Sequence, residues 1–344
     1  MSTWRPWRIR ALLVLGLALA GAGWGMPATA QLAPLLRAHA SADLATLSAR
    51  QAAVQRWLQQ LAVQLAHQPD DANAQLLLGM LTSAQDRRQV YFARAHALAP
   101  QSPALAWIYA ETCDYEQDHC AQRLQPLQQL APDNAAAWME ELAIIPIGGP
   151  ARLLPGFAAQ RARIIEQIAD KPQFDTYRIA LIHRLLAALQ GAPAYPAQLQ
   201  GSAAFTRWMF ASVLYEVWTS SPFQGVGLAC RPRPADARLQ QACYRLGETM
   251  ALHGDTLMAN LIGSSVAIAN APDAGARKAA QARRRELLWL NDALQQAGDQ
   301  PGFPARFLAQ WDRYPREADD VRAIIAAAGL PTTPRPGWQP PARR

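Results

Sequence analysis

Three prolines divide one part of the sequence into segments of nearly equal length. Pro69, Pro100 and Pro132 stand 31 and then 32 residues apart, and each precedes polar turn residues and a new apolar stretch. Proline ends one helix and tolerates the start of the next, so this spacing marks pairs of helices. A period of this size predicts stacked helical hairpins, each of which buries only part of its apolar face by itself.

Helical periodicity extends well beyond this repeat. The stretch from Leu47 to Leu65 places its apolar residues at helical spacing, and residues 179–189 show the same pattern. Gly254 and Gly298 stand where caps at helix C-termini are expected. Alanine and leucine, which favour helix, dominate the sequence, and almost no segment alternates as a strand does. The sequence therefore predicts an all-α protein.

The segment from about Leu58 to Leu142 resembles tetratricopeptide repeats. The residues that carry the resemblance match that family's Leu-Gly pair, second-helix aromatic, small residue and terminal proline, and they are Leu78, Gly79, Phe92, Ala95 and Pro100. Trp138 falls where the family prefers an aromatic at the start of the next repeat. The resemblance implies an irregular α-solenoid of helical hairpins, with a concave surface that binds peptides or protein segments.

Breaks in the pattern divide the chain into four predicted parts. These are a signal peptide over 1–30, the repeat region over 31–145, an irregular all-helical region over 146–330 and a disordered tail rich in Pro and Arg over 331–344. Two arrangements of the body remain open. One is a continuous irregular solenoid, and the other is a repeat lobe joined near residue 150 to a second helical lobe.

The N-terminus has the three parts of a secretory signal peptide. Three arginines precede an apolar run of thirteen residues, and Ala-Thr-Ala at 28–30 provides a small-residue cleavage site. We predict cleavage between Ala30 and Gln31. The apolar run is shorter than the roughly 20 residues of a spanning helix. The mature chain is therefore predicted to lack a transmembrane segment and to be periplasmic or secreted.

The positive charge of the chain lies mainly at its two ends. The formal net charge is +7, of which three arginines in the signal peptide and three in the tail contribute six charges. The nearly neutral body argues against nucleic acid as a partner. The body also has one basic helical stretch, which comprises Arg277, Lys278, Arg283, Arg284 and Arg285. Two interpretations of this stretch remain open: a solvated helix face, or a surface that contacts an anion.

The four cysteines form two local pairs, Cys113 with Cys120 and Cys230 with Cys243. An even number of cysteines behind a signal peptide favours disulfides, because the exported compartment is oxidising. We predict these two pairings among the three that four cysteines allow. A zinc site around Cys113 and His119 is the alternative, but the spacing differs from that of structural zinc sites. We therefore predict no metal.

Known catalytic motifs are missing from the sequence. It has no G-x-S-x-G, H-E-x-x-H or C-x-x-C motif and no phosphate-binding glycine loop, so no cofactor is predicted. We predict an exported scaffold that binds a protein or peptide partner in the bacterial cell envelope, without catalysis. Its candidate anchors are aromatic and arginine side chains, namely Trp107, Tyr109, Trp138 and Arg231.

The alternative prediction is an envelope enzyme or a small-molecule binder. Its site would lie where the loops 143–157 and 219–234 approach one another, lined by Glu140, Glu141 or Arg231. A third possibility is an accessory subunit that is active only in a complex.

Overall fold

The computed structural model describes residues 44–111, 120–143, 145, 155–196, 203–218, 221–231 and 234–340. The predicted signal peptide and its cleavage site at Ala30 and Gln31 lie outside these residues, as does Cys113. Within the described part the chain is all-α, as predicted, and it contains no strand. In the same part, no helix is both long enough and apolar enough to cross a membrane.

Fifteen helices, numbered here in chain order, make up the described part. They are α1 Leu44–Ala66, α2 Ala72–Leu81, α3 Gln85–Leu98, α4 Pro103–Glu111, α5 Cys120–Leu130, α6 Ala135–Ala143, α7 Pro155–Ile168, α8 Arg178–Ala188, α9 Ala203–Trp218, α10 Ser221–Cys230, α11 Ala237–His253, α12 Leu257–Asn270, α13 Ala274–Gly298, α14 Phe303–Leu308 and α15 Glu317–Ala327.

Short polar side chains fix the start of several helices. Asp71 accepts hydrogen bonds from two backbone N–H groups in the first turn of α2. Asp236 does the same for α11, and Asp273 and Thr256 each accept one such bond at the starts of α13 and α12. These caps satisfy N–H groups that have no partner inside the helix, so they define the residue at which each helix begins.

The helices of the repeat region pack against one another in chain order. Each helix from α2 to α6 packs against the next helix along the chain. Where α2 meets α3, a Cβ atom added to Gly79 would lie 2.6 Å from Cδ1 of Phe92. Glycine at this position therefore allows the close approach of the two helices. The contact joins two of the residues on which the family resemblance depends.

Two helices from the second half of the chain cover the repeat helices. α8 packs against α2 and α4, and α10 packs against α6 and α7. Arg184 of α8 donates to Asn73 Oδ1 at 3.0 Å and to Ser102 Oγ at 3.1 Å, which ties α8 to the starts of α2 and α4. Every residue of the segment 74–80 in α2 is buried. A helix that is buried on all sides needs neighbours on every face, and α8 provides one of them.

One cluster of buried apolar side chains extends from Trp57 in α1 to Ile324 in α15. It includes Leu77 of the repeat region and Leu181 and Leu246 of the later region. Within the described residues, the two regions predicted on either side of residue 145 therefore share a hydrophobic core.

A buried polar junction links α8, α9, α12 and α15. Thr176 Oγ1 donates to Asp255 Oδ1 at 2.8 Å and lies 2.5 Å from the hydroxyl of Tyr215. The backbone N–H of Arg178 also donates to Asp255, and the Arg178 guanidinium, only 4% exposed, lies 3.8 Å from Glu317 Oε2. Burial is the main cause that raises the pKa of Asp255 to about 7. This junction connects four helices through groups that need partners because they are buried.

The C-terminal segment differs from the predicted disordered tail. Trp338 packs edge-on against Trp289 of α13, with ring centroids 5.3 Å apart. Trp289 Nε1 donates to the carbonyl of Pro331 at 3.0 Å, and Arg285 Nε donates to the carbonyl of Trp338 at 2.9 Å. The composition did not indicate this docking, because a single aromatic ring and a few backbone carbonyls make the contacts. Residues 341–344 belong to the part that the structure does not describe.

Candidate functional site

Trp107 is one of the four candidate partner-binding residues, and the structure excludes it as an exposed anchor. Its side chain is 0% exposed. The indole packs edge-on against Tyr177, with centroids 5.7 Å apart, in the core beneath α8. The prediction was wrong because it treated the face of α4 as the wall of an open groove, whereas α8 covers that face.

Trp138 and Arg231 occupy different surroundings. Trp138 is half-buried, its Nε1 donates to the carbonyl of Pro132 at 3.1 Å, and Lys171 Nζ lies 4.3 Å from its ring centroid. One face and the polar edge of this indole therefore already have partners. Arg231 is exposed directly after Cys230, at the end of α10. Its role in partner binding stays a prediction.

Tyr109 lies half-buried between two nitrogen-bearing side chains, and we call this group the Tyr109 patch. The imidazole of His96 stacks on the tyrosine ring, with centroids 5.5 Å apart. The guanidinium carbon of Arg123 lies 5.1 Å from the same ring, within range of a cation–π contact. Arg123 Nη2 also donates to Gln89 Oε1 at 3.4 Å. The patch therefore combines an aromatic surface with a fixed positive charge.

Two nitrogen atoms of the Tyr109 patch have no hydrogen-bond partner among the described residues. They are Nδ1 of His96 and Nη1 of Arg123, and both atoms are buried. Burial also lowers the pKa of His96, which keeps its imidazole neutral near pH 7. A buried polar atom without a partner costs free energy, so a small rotation of the guanidinium toward an incoming acceptor is favourable.

The disulfide between Cys230 and Cys243 is present, as predicted, with 5.7 Å between the Cα atoms. It joins the last residue of α10 to α11. Cys120 is also disulfide-bonded, and its predicted partner Cys113 falls in the segment 112–119, which the structure does not describe. The described residues contain no cluster of three or more His, Cys, Asp or Glu side chains that is suited to a metal.

A second candidate site is a buried pair of carboxyl groups, Glu111 at the end of α4 and Glu140 in α6. The two carboxyl groups lie close enough that each changes the pKa of the other, and a hydrogen bond between them requires that one of them carries a proton. Glu140 is 1% exposed, and neither of its oxygens accepts a hydrogen bond from an N–H or O–H group of the described residues. We name these two residues the carboxyl pair.

The surroundings of the carboxyl pair favour its protonated form. Burial raises the pKa of Glu111 to about 7, although the hydrogen bond from Glu140 opposes this rise. Burial, the charge of Glu111 and the hydrogen bond to Glu111 all raise the pKa of Glu140 well above its ordinary value. The pair therefore binds a proton more readily than two exposed carboxyl groups would. Such a pair can give and take a proton near neutral pH.

One member of the carboxyl pair, Glu140, lies just before the first of the two loops of the alternative prediction. Glu140 stands two residues before Leu142, which packs so closely against Gly225 of α10 that a Cβ atom on Gly225 would lie 2.6 Å from that of Leu142. Helices α6 and α10, which border the loops 143–157 and 219–234, are therefore in contact. The neighbouring Glu141 instead accepts a hydrogen bond from Gln128 at 2.7 Å.

The pairing of Glu111 with Glu140 is not visible in the sequence. Glu140 was a candidate lining residue. Glu111 begins a stretch rich in acidic residues, and such a composition is typical of a solvated turn. The only signal is the repeat itself, since Glu111 and Glu140 lie on the first helices of successive hairpins, which are expected to pack side by side.

A scan against protein-family models gave no match, and searches against curated proteins and solved structures found no significant similarity. The assignment of a function therefore depends on the geometry of the molecule.

Proposed function

We propose that this protein is an exported helical-repeat scaffold that binds a protein or peptide partner in the bacterial cell envelope, without catalysis, and that the Tyr109 patch is its contact surface. The observation that carries this proposal is the half-buried Tyr109 ring beside the guanidinium of Arg123, one nitrogen of which has no acceptor in the described part of the chain. Tyrosine and arginine are the residue types that most often dominate the binding energy of protein interfaces.

The chemistry of the patch suggests what the partner presents. An apolar side chain of the partner packs on the exposed part of the Tyr109 ring. A carboxylate or backbone carbonyl accepts a hydrogen bond from Arg123, and the 3.4 Å contact with Gln89 weakens in exchange. The groove between the first helices of the hairpins is not proposed as the binding surface, because α8 and α10 cover these helices.

Two further observations support the exported location in this proposal. The basic, apolar and small-residue parts of the N-terminus are typical of a signal peptide. The disulfide between Cys230 and Cys243 is compatible with an oxidising compartment.

The experiment is photo-crosslinking in periplasmic extract from a photoreactive amino acid at position 90, an exposed residue next in sequence to Gln89, which accepts a hydrogen bond from Arg123. Binding of the captured partner to purified variants follows. We expect Tyr109→Ala and Arg123→Gln each to weaken that binding by about tenfold or more, which corresponds to about 1.4 kcal/mol. Tyr314→Ala is the matched control, because Tyr314 is an exposed tyrosine in the C-terminal part of the chain.

The proposal fails if no saturable partner is captured. It also fails if Tyr109→Ala binds as tightly as Tyr314→Ala, because the contact surface then lies elsewhere on the molecule.

A second candidate function is acid–base chemistry, or the binding of a small molecule, at the carboxyl pair. The specific observation that favours it is the proton shared by two buried carboxyl groups, an arrangement that also serves catalysis in enzymes. Its test is a panel of chromogenic glycoside, ester and phosphate substrates with the wild-type protein and Glu140→Gln. Turnover that the substitution leaves unchanged excludes the pair as its source.

A further inference from the structure

A small cavity of about 180 Å³ lies between helices α11, α12, α13 and α15. Its polar lining comes from Asn260, Arg283, Glu286, Arg316 and Arg322. A cavity of about 150 Å³ is large enough for a benzene ring, so this one has room for a ligand of roughly six to ten non-hydrogen atoms. The residues of this cavity are distinct from those of the Tyr109 patch and of the carboxyl pair.

The charges around the cavity are balanced. Arg283 pairs with Glu248 at 2.7 Å, and Arg322 pairs with Glu286 at 2.7 Å. Arg316 and Arg322 share the carboxylate of Asp319, which completes a set of three guanidiniums and three carboxylates. Each guanidinium has five N–H donors, more than one carboxylate partner uses. Arg316 also donates to the carbonyl of Leu252 at 2.7 Å, whereas Nε and Nη2 of Arg283 have no acceptor among the described residues. The lining therefore offers spare donors, chiefly from Arg283, without an excess of charge.

The same cavity also contains hydrogen-bond acceptors. Asn260 is 2% exposed, and its Nδ2 donates to the carbonyls of Met250 and Gly254. Its Oδ1 is buried and has no hydrogen-bond donor among the described residues. The carboxylate of Glu286 also lines the cavity and accepts a hydrogen bond from Arg322. A ligand with N–H groups would give Asn260 this missing donor, and Glu286 could accept from it as well.

We propose that this cavity binds a small zwitterion of amino-acid size. The ligand's carboxylate lies against the guanidiniums of Arg283, Arg316 and Arg322, since arginine matches a planar carboxylate with two parallel donors. The ligand's ammonium group faces Glu286 and Asn260. A simple anion would leave Asn260 without a donor, and a simple cation would leave the remaining guanidinium N–H groups without an acceptor. The balance of the lining therefore selects a molecule that carries both charges.

The test is calorimetric titration of the intact protein with a panel of small amino acids, which includes glycine, L-alanine and L-serine. Propionate and ethylammonium are matched probes, because each resembles alanine without one of its two charged groups. We expect saturable binding of at least one amino acid at millimolar concentration or below, and binding at least about tenfold weaker for both matched probes.

Variants of the lining complete the test. Arg283→Gln and Arg322→Gln should each weaken amino-acid binding by about tenfold or more. Arg277→Gln, an exposed position on the same helix α13, should leave binding unchanged. Circular dichroism of each variant verifies that it is folded. The proposal is overturned if no amino acid saturates at about 10 mM, if propionate binds as tightly as alanine, or if Arg277→Gln and Arg283→Gln bind equally.

Discussion

At neutral pH, some buried carboxyl groups in this protein keep a proton that they would lose if they were exposed to water. Glu140 is the clearest case, since its carboxyl group is buried beside Glu111 and has no other donor or acceptor among the described residues. Two carboxylates in such a place would repel each other in a medium that screens charge poorly. The folded protein avoids this repulsion by keeping a proton, which makes its stability depend on pH at this one position.

We expect Glu140→Gln to stabilise the protein at pH 8 and to leave its stability nearly unchanged at pH 5. The amide of glutamine donates a hydrogen bond to Glu111 at every pH, so folding no longer requires a bound proton. The expected rise in Tm at pH 8 is about 3 °C or more. Thermal unfolding of both proteins at the two pH values measures it.

Glu141→Gln is the control for this substitution. Glu141 is half-buried and accepts a hydrogen bond from Gln128, which the oxygen of a glutamine side chain can also accept. We expect little change in Tm at either pH. A fall in Tm at pH 8 for Glu140→Gln would contradict the shared proton.

At the scale of elements, the local signals were sufficient to predict helices. Gly254 and Gly298 stand at the ends of α11 and α13, where they were expected. The prolines at 69, 100 and 132 separate helices as their spacing predicted. Local pattern does not determine which faces of those helices are covered. Trp107 appeared available because its neighbours in the sequence form one helix, whereas α8, more than sixty residues later, buries it.

We expect Gly79→Ala to destabilise the protein by up to about 2 kcal/mol. Alanine favours helix by up to about 1 kcal/mol over glycine, but a methyl group in a filled space costs about 1 to 3 kcal/mol. The ring of Phe92 occupies that space and is itself buried, so it has little freedom to move away. Urea unfolding measures the change in the free energy of unfolding.

Gly227→Ala is the matched control, because Gly227 also lies inside a helix but has no atom within 4 Å of a Cβ added to it. This substitution should stabilise the protein by about 0.5 to 1 kcal/mol through helix propensity. Equal effects of the two substitutions would mean that the contact between α2 and α3 does not limit the size of residue 79.

At the scale of the whole molecule, long-range packing decides both the fold and the sites. The sequence was sufficient for the all-α class and for the disulfide between Cys230 and Cys243. It was not sufficient for the cavity proposed to bind amino acids. Arg283 belongs to a recognisable basic stretch, but Arg322 lies on another helix and Asn260 on a third. Residues that meet only through tertiary packing leave no spacing in the sequence by which they could be found.

We expect the whole protein to be more stable at pH 5 than at pH 8. Burial is the main cause that raises the pKa of Asp255, Glu216 and Glu111 to about 7. In the unfolded chain the pKa of such groups is about 4. Between about pH 4 and pH 7 the folded chain therefore binds more protons than the unfolded chain. Stability is therefore fully present at low pH and is lost as the pH rises through about 7.

The expected fall in Tm from pH 5 to pH 8 is about 5 °C or more. Thermal unfolding in buffers of matched ionic strength measures it. A Tm that is constant or rises over this interval would show that the three carboxyl groups are ionised in the folded protein.

Helix α8 packs over α2 and α4, and this packing affects the order in which the chain can fold. A polypeptide emerges from the ribosome N-terminus first, and residues 82–177 come after α2 and before α8. At the usual speed of synthesis this interval lasts roughly 5 to 20 s. During that time α8 does not yet cover the apolar faces of α2 and α4, so other chains can contact these faces. The repeats of this protein therefore cannot fold stably one after another as they are synthesised, as independent repeats can.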